Sequence, residues 1–120
     1  VGLTEAEAKD RLSGDIRILR WPFAENDRAQ AERRTEGFVK VIADRKGRIH
    51  GVCIVGPHAG ELIMPWVLAV ENGLKVGAMA SVVAPYPTLS EVSKRASGSY
   101  FTASLFSERT KKLVRFLMRF

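Results

Sequence analysis

One cysteine, Cys53, stands alone in 120 residues. A single thiol excludes an intrachain disulfide framework and fits a reducing compartment. Cys53 lies in an apolar strand-like run with no basic neighbour in sequence, so a small buried hydrophobe is expected there. No run of eighteen apolar residues exists, which predicts no transmembrane helix. The first residues, Thr4-Glu5-Ala6-Glu7, are polar where a signal peptide needs an apolar stretch. The start at Val1 rather than Met fits an excised piece of something longer. There is no G-x-G-x-x-G, no G-x-x-x-x-G-K and no metal-ligand pair at useful spacing. Histidine is scarce and isolated: His50 near a strand start is expected to face solvent, and His58 to play a structural part at a helix entrance.

What is present begins with charge. The formal +6 is uneven. Residues 104–120 hold Arg109, Lys111, Lys112, Arg115 and Arg119 against Glu108, a balance of +4. The remaining 103 residues carry 14 basic and 12 acidic side chains, a solvated surface rather than an electrostatic footprint for nucleic acid.

The local pattern reads as helix, strand, hairpin, helix, elbow, helix. Thr4 and Glu7 make a capping box for a helix to about Leu12. Ile16, Ile18 and Leu19 predict a strand at 15–21, and Asn26-Asp27 a cap. Residues 37–43 and 48–55 read as a hairpin around Asp44-Arg45-Lys46-Gly47, with Gly47 suited to a left-handed, bulged turn. Leu62, Trp66, Ala69 and Val70 form a helical apolar face, which Pro65 should kink or delay. A short apolar stretch, 76–83, leads to the elbow. These elements predict one α+β domain, a mostly antiparallel sheet with helices packed on it.

The elbow is Ala84-Pro85-Tyr86-Pro87-Thr88-Leu89-Ser90-Glu91. Its prolines hold Ala84 and Tyr86 extended. Thr88 is expected as N-cap and Glu91 at N3 of a helix from Leu89 to about Ala96, with Ser97-Gly98-Ser99 as a break. Tyr86 and Glu91 are the candidate catalytic residues. A neutral phenol donates a hydrogen bond, acts as a weak acid or ligates a soft metal as phenolate, but is a poor general base. Two readings stay open from residue chemistry. The ring packs on its own sheet with Glu91 merely capping, or it is aimed outside its domain.

Several segments together resemble the C-terminal dimerisation domain of the class I pyridine nucleotide-disulfide oxidoreductases. These flavoproteins include dihydrolipoamide dehydrogenase, glutathione reductase and mercuric reductase. The matching segments are Gly2-Leu3-Thr4-Glu5-Ala6-Glu7-Ala8, Asn26-Asp27-Arg28-Ala29 and Gly37-Phe38-Val39-Lys40-Val41, then Ile49-His50-Gly51-Val52-Cys53-Ile54-Val55-Gly56, Ala59-Gly60-Glu61-Leu62-Ile63 and Pro87-Thr88-Leu89-Ser90-Glu91. The resemblance implies residues 1–96 as the dimerisation domain and 97–120 as a basic amphipathic helical extension. It implies a homodimer, a parent chain with FAD and NAD(P) domains, and no flavin held by this segment itself. It also implies an elbow reaching the other subunit's disulfide and flavin, with Pro87 near that flavin. The family's proton-shuttling His position is filled by Tyr86, and its Glu is kept as Glu91. Mercuric reductases are similar in having Tyr there. They also end in a cysteine pair, whereas this chain ends Leu117-Met118-Arg119-Phe120. The substrate is therefore left unassigned.

In the tail, Phe106, Leu113, Phe116, Leu117 and Phe120 share a helical face, with Arg109, Lys112, Arg115 and Arg119 largely on its flanks. Three readings compete: packing on the parent protein or dimer mate, an anionic membrane surface, and a partner-protein site. The location expected is cytoplasmic, with a peripheral or tethered place at the inner membrane face left open. A second function class is a free-standing binding module that uses the basic tail on a membrane surface or nucleic acid. No aromatic-rich basic sheet face supports the nucleic-acid form, and no nucleic-acid partner is expected.

Overall fold

The computed structural model describes residues 1–105 and 107–118. Three strands, β1 (Ile16–Pro22), β2 (Phe38–Asp44) and β3 (Ile49–Val55), form an antiparallel sheet in the order β1-β2-β3. The fold is the α+β arrangement the sequence predicts. Leu19 pairs with Val41 and Val41 with Val52, so one face of the sheet carries Leu19, Val39, Val41, Ala43 and Val52 into the core.

Helix α1 (Glu5–Arg11) opens with the expected box: Thr4 accepts from the Glu7 N–H, and the Glu7 carboxylate accepts from the Thr4 N–H at 2.8 Å. The segment before it runs along the free edge of β3. Leu3 N–H donates to His50 O and Val52 N–H to Val1 O, each at 2.9 Å. Gly51 permits this approach, because a Cβ there would collide with the Leu3 carbonyl.

The hairpin turns at Gly47, φ +81°, as its left-handed role requires. The register slips between Ile42, opposite Gly51, and Ala43, opposite Ile49. His50 is the extra residue. It does not face solvent as expected. The bulge turns its ring onto Asp44, with Nε2 2.9 Å from Oδ2. Asp44 Oδ1 also accepts the N–H groups of Lys46 and Arg48 at 2.8 and 3.0 Å.

Cys53 is also placed differently from the expectation of burial. It is exposed. Val52 points into the core, so its neighbour must point to the opposite face, where Cys53 pairs with Lys40.

After β3 the chain enters α3 (Ala59–Leu62) and then α4 (Met64–Glu71). The expected single helix is broken at Ile63 because Pro65 belongs in the first turn of α4. His58 stands at the entrance of α3 with φ +57° and makes no side-chain cap. Trp66 and Ala69 are buried as their spacing predicts, and Trp66 Nε1 donates to Ser93 Oγ at 2.9 Å.

Residues of the apolar stretch form a helix the sequence reading missed, α5 (Val76–Ser81). It packs Val76 and Met79 into the core and lies along α6 (Glu91–Leu105). No break occurs at 97–99. Ser97 is buried and its hydroxyl donates back to Ser93 O at 2.9 Å, so α6 continues across the core. Further along α6, the Tyr100 hydroxyl donates to Arg45 O at 2.8 Å and ties the helix to the hairpin turn. A last helix, α7 (Glu108–Leu117), has its own cap, Ser107 Oγ accepting from Thr110 N–H at 3.3 Å. Phe106 and Phe120 of the expected tail face, and Arg119 of its flank, lie outside the described residues.

Candidate functional site

The elbow joins α5 to α6 and stands out from the body of the domain. Thr88 does not cap a helix from Leu89. Its hydroxyl closes the elbow internally, donating to Pro85 O at 2.6 Å and meeting Ser90 Oγ at 2.7 Å. Helix α6 therefore begins at Glu91, which lies in its first turn rather than at N3. A carboxylate is favourable there, at the positive end of the helix dipole.

Two adjacent residues of α2 (Asp27–Ala31) and its cap secure the elbow. Asn26 is buried; its Oδ1 accepts from Ala29 N–H at 2.9 Å, while its Nδ2 donates to Thr88 O at 3.0 Å. Next to it, Asp27 Oδ2 accepts the Tyr86 hydroxyl at 2.7 Å. The sequence marked Asn26-Asp27 only as a cap. Nothing in the spacing showed that its second function is to hold residues 86 and 88. The Tyr86–Pro87 peptide is cis.

Tyr86 is 69% exposed and so does not pack on its own sheet. The hydrogen bond to Asp27 and then that residue's negative charge push the phenol above its ordinary pKa of 10.0, with desolvation and the Glu91 charge adding to the effect. The bond to Asp27 thus favours the neutral phenol over the phenolate. Glu91 acts on it through charge, not a hydrogen bond. The Glu91 side chain lines a different feature, an open groove of about 730 Å³ bordered by Trp21, Lys94, Arg95, Ser99 and Thr102. Trp21 Nε1 is buried beside this groove without a partner among the described residues. Pro87 borders a smaller recess with Arg28, Glu32 and Leu89.

Val82 and Val83, which lead into the elbow, are exposed, Val83 to 93%, and so are Met64 and Leu68 on α4. Val82 and Val83 thus give the elbow an apolar rim. Among the described residues, no cluster of three His, Cys, Asp or Glu side chains is placed to hold a metal ion.

A three-stranded antiparallel sheet with a proline elbow leading into a core-crossing helix defines an α+β domain. Its family is equally clear. Residues 1–97 match the model described as "Pyridine nucleotide-disulphide oxidoreductase, dimerisation domain", and the chain belongs to that family. It is 45% identical over 98 residues to a mitochondrial dihydrolipoyl dehydrogenase of Caenorhabditis elegans, covering 81% of this chain and 20% of the relative. It is 40% identical over 92 residues to a dihydrolipoyl dehydrogenase of Thermus scotoductus, covering 76% of this chain and 20% of the relative. Among solved structures, LpdA from Mycobacterium tuberculosis superposes with a TM-score of 0.76 at 34% identity, over 83% of this chain and 22% of that one. The Cu(II) complex of the HOCl-induced flavoprotein disulfide reductase RclA from Escherichia coli gives 0.78 at 26% identity, over 82% of this chain and 22% of that one. The chain thus spans about a fifth of the length of the relatives it matches.

Proposed function

We propose that this chain is the dimerisation part of a larger FAD- and NAD(P)-dependent oxidoreductase. Residues 1–96 form the family domain and 97–120 an extension. Two copies associate through the apolar rim and sheet, and each elbow presents Tyr86 and Glu91 to the flavin and disulfide site of the other subunit. The observation that carries this reading is Tyr86 itself. The ring is exposed at the tip of an anchored elbow, its hydroxyl held by Asp27, among apolar residues that face solvent in the single chain.

The chain's own residues do not fit the two dinucleotides. Strand β3 leaves through Gly56-Pro57-His58, where Pro57 has no N–H to offer a phosphate and α3 is one turn long. FAD and NAD(P) belong to the rest of the parent.

Chemically, a neutral phenol cannot take a thiol proton at neutral pH as an imidazole does. Tyr86 instead offers one O–H. To donate it to a bound acceptor, the ring must give up Asp27. Disulfide reduction through a histidine relay is therefore not the proposed chemistry, and the acceptor is of another kind.

The test uses the full-length parent. Its dimer should dissociate more readily with Val83→Glu, read by analytical ultracentrifugation. Tyr86→Phe should slow flavin reoxidation by the physiological acceptor in stopped flow. Unchanged reoxidation with every candidate acceptor would remove Tyr86 from the reaction. A monomeric parent would remove the association itself.

The second reading, a binding module acting through the tail, is supported by the exposed helix α7.

A further inference from the structure

The tail helix points to a function separate from the elbow. Helix α7 is set off from α6 by Ser107 and has its own cap, so it is an independent element rather than the frayed end of α6. It does not take part in the principal packing of helices on the sheet. Leu113, Val114, Phe116, Leu117 and Met118 are all exposed, so five apolar side chains lie within two turns. At 100° per residue, Leu113, Leu117, Phe116 and Val114 fall on one side of the helix, and Lys111, Arg115 and Lys112 on the other. Arg109 lies on the apolar side one turn earlier, where its stem can run along apolar surface while the guanidinium stays wet.

We propose that α7 lies on an anionic phospholipid surface, its apolar side among the acyl chains and Lys111, Lys112 and Arg115 in the headgroup layer. No helix among the described residues is long and apolar enough to cross a membrane, so the contact lies in the plane of the interface. Two observations favour lipid over a second copy of the same helix. The 104–120 segment carries +4 of the chain's +6, which an anionic surface neutralises and a second copy does not. A ten-residue helix about 15 Å long also presents less apolar area than the roughly 800 Å² per partner of a standard protein interface. An anionic bilayer answers both the charge and the narrow apolar strip. This inference does not depend on Tyr86 or on the dimer.

The experiment is co-sedimentation of the 120-residue chain with vesicles of phosphatidylcholine containing phosphatidylglycerol, and with pure phosphatidylcholine. The chain should pellet with the first at low salt and not with the second. The triple variant Lys111→Gln/Lys112→Gln/Arg115→Gln should lower the partition coefficient roughly 100-fold, from the contribution of each cation near an anionic leaflet. Leu113→Gln/Leu117→Gln should abolish pelleting. Both variants alter exposed positions, and circular dichroism melts should match the parent chain. Absence of pelleting, or equal pelleting with the neutral vesicles, would overturn the proposal. So would a lower oligomeric state of the Leu113/Leu117 variant without lipid, which would assign the face to a second copy. Retardation of a single-stranded RNA without vesicle binding would overturn it in favour of a polynucleotide.

Discussion

Asn26 and Thr88, 62 positions apart, are joined by one hydrogen bond from the Asn26 side-chain amide to the Thr88 carbonyl at 3.0 Å. The same buried Asn26 caps α2, so the elbow is fastened to a helix end rather than to a mobile loop. Asn26→Asp separates the two duties. It keeps the acceptor for Ala29 N–H and removes the donor to Thr88 O. Stability should fall by about 1–3 kcal/mol in urea unfolding, and amide exchange should rise over residues 84–90. Asn26→Ala should cost more, because the α2 cap is lost as well. Unchanged exchange in the elbow would mean that Asn26 does not anchor it.

Tyr86 should ionise above the ordinary phenol value of 10.0, because Asp27 holds its proton and repels the phenolate. Ultraviolet titration of a Tyr100→Phe background isolates Tyr86. Asp27→Asn should bring its midpoint down toward 10.0. If that substitution leaves the midpoint in place, the Asp27 bond is not what holds the hydroxyl. The exposed bond should contribute little to stability.

Asp44 sets an acid limit. Its partial burial raises the carboxyl pKa, but hydrogen bonds from His50, Arg48 and Lys46 outweigh that effect and leave it below its ordinary 3.8. The folded value lies below the unfolded one. The resulting stabilisation is complete above 3.8 and is lost as pH falls through the lower folded value. Asp44→Asn should be destabilised near neutral pH, and the gap to the parent chain should narrow by about pH 3. Chemical unfolding at the two pH values checks it, and a constant gap would refute the assignment.

Gly51→Ala should weaken the junction of the first three residues with β3. The added methyl meets the Leu3 carbonyl, and backbone must move to admit it. A loss of about 1–3 kcal/mol is expected, with faster exchange at Leu3 and Val52. A melt identical to the parent chain's would show that this edge contact adds nothing.

Much of the fold was legible from local chemistry. Thr4 with Glu7, Asn26 before Asp27 and Gly47 after a charged turn each meet a backbone need within a few residues, and each is found in that role. Pro65 announced its helix break for the same reason. The family, too, was readable, since its ordered segments span the region that matches at residues 1–97.

What the sequence left undecided depended on partners far along the chain. The segment Val76–Ser81 has weak helical character, and burial of Val76 and Met79 against α6 makes it a helix. Ser97-Gly98-Ser99 reads as a break, yet packing carries α6 through it. Cys53 and His50 were misplaced because strand register and one bulge decide which face a side chain takes. The sequence by itself did show a tyrosine at position 86, where the resemblance implies a proton-shuttling histidine. Only the tertiary structure showed that its hydroxyl rests on Asp27, because that bond spans 59 positions and exists only once α2 and the elbow are packed side by side.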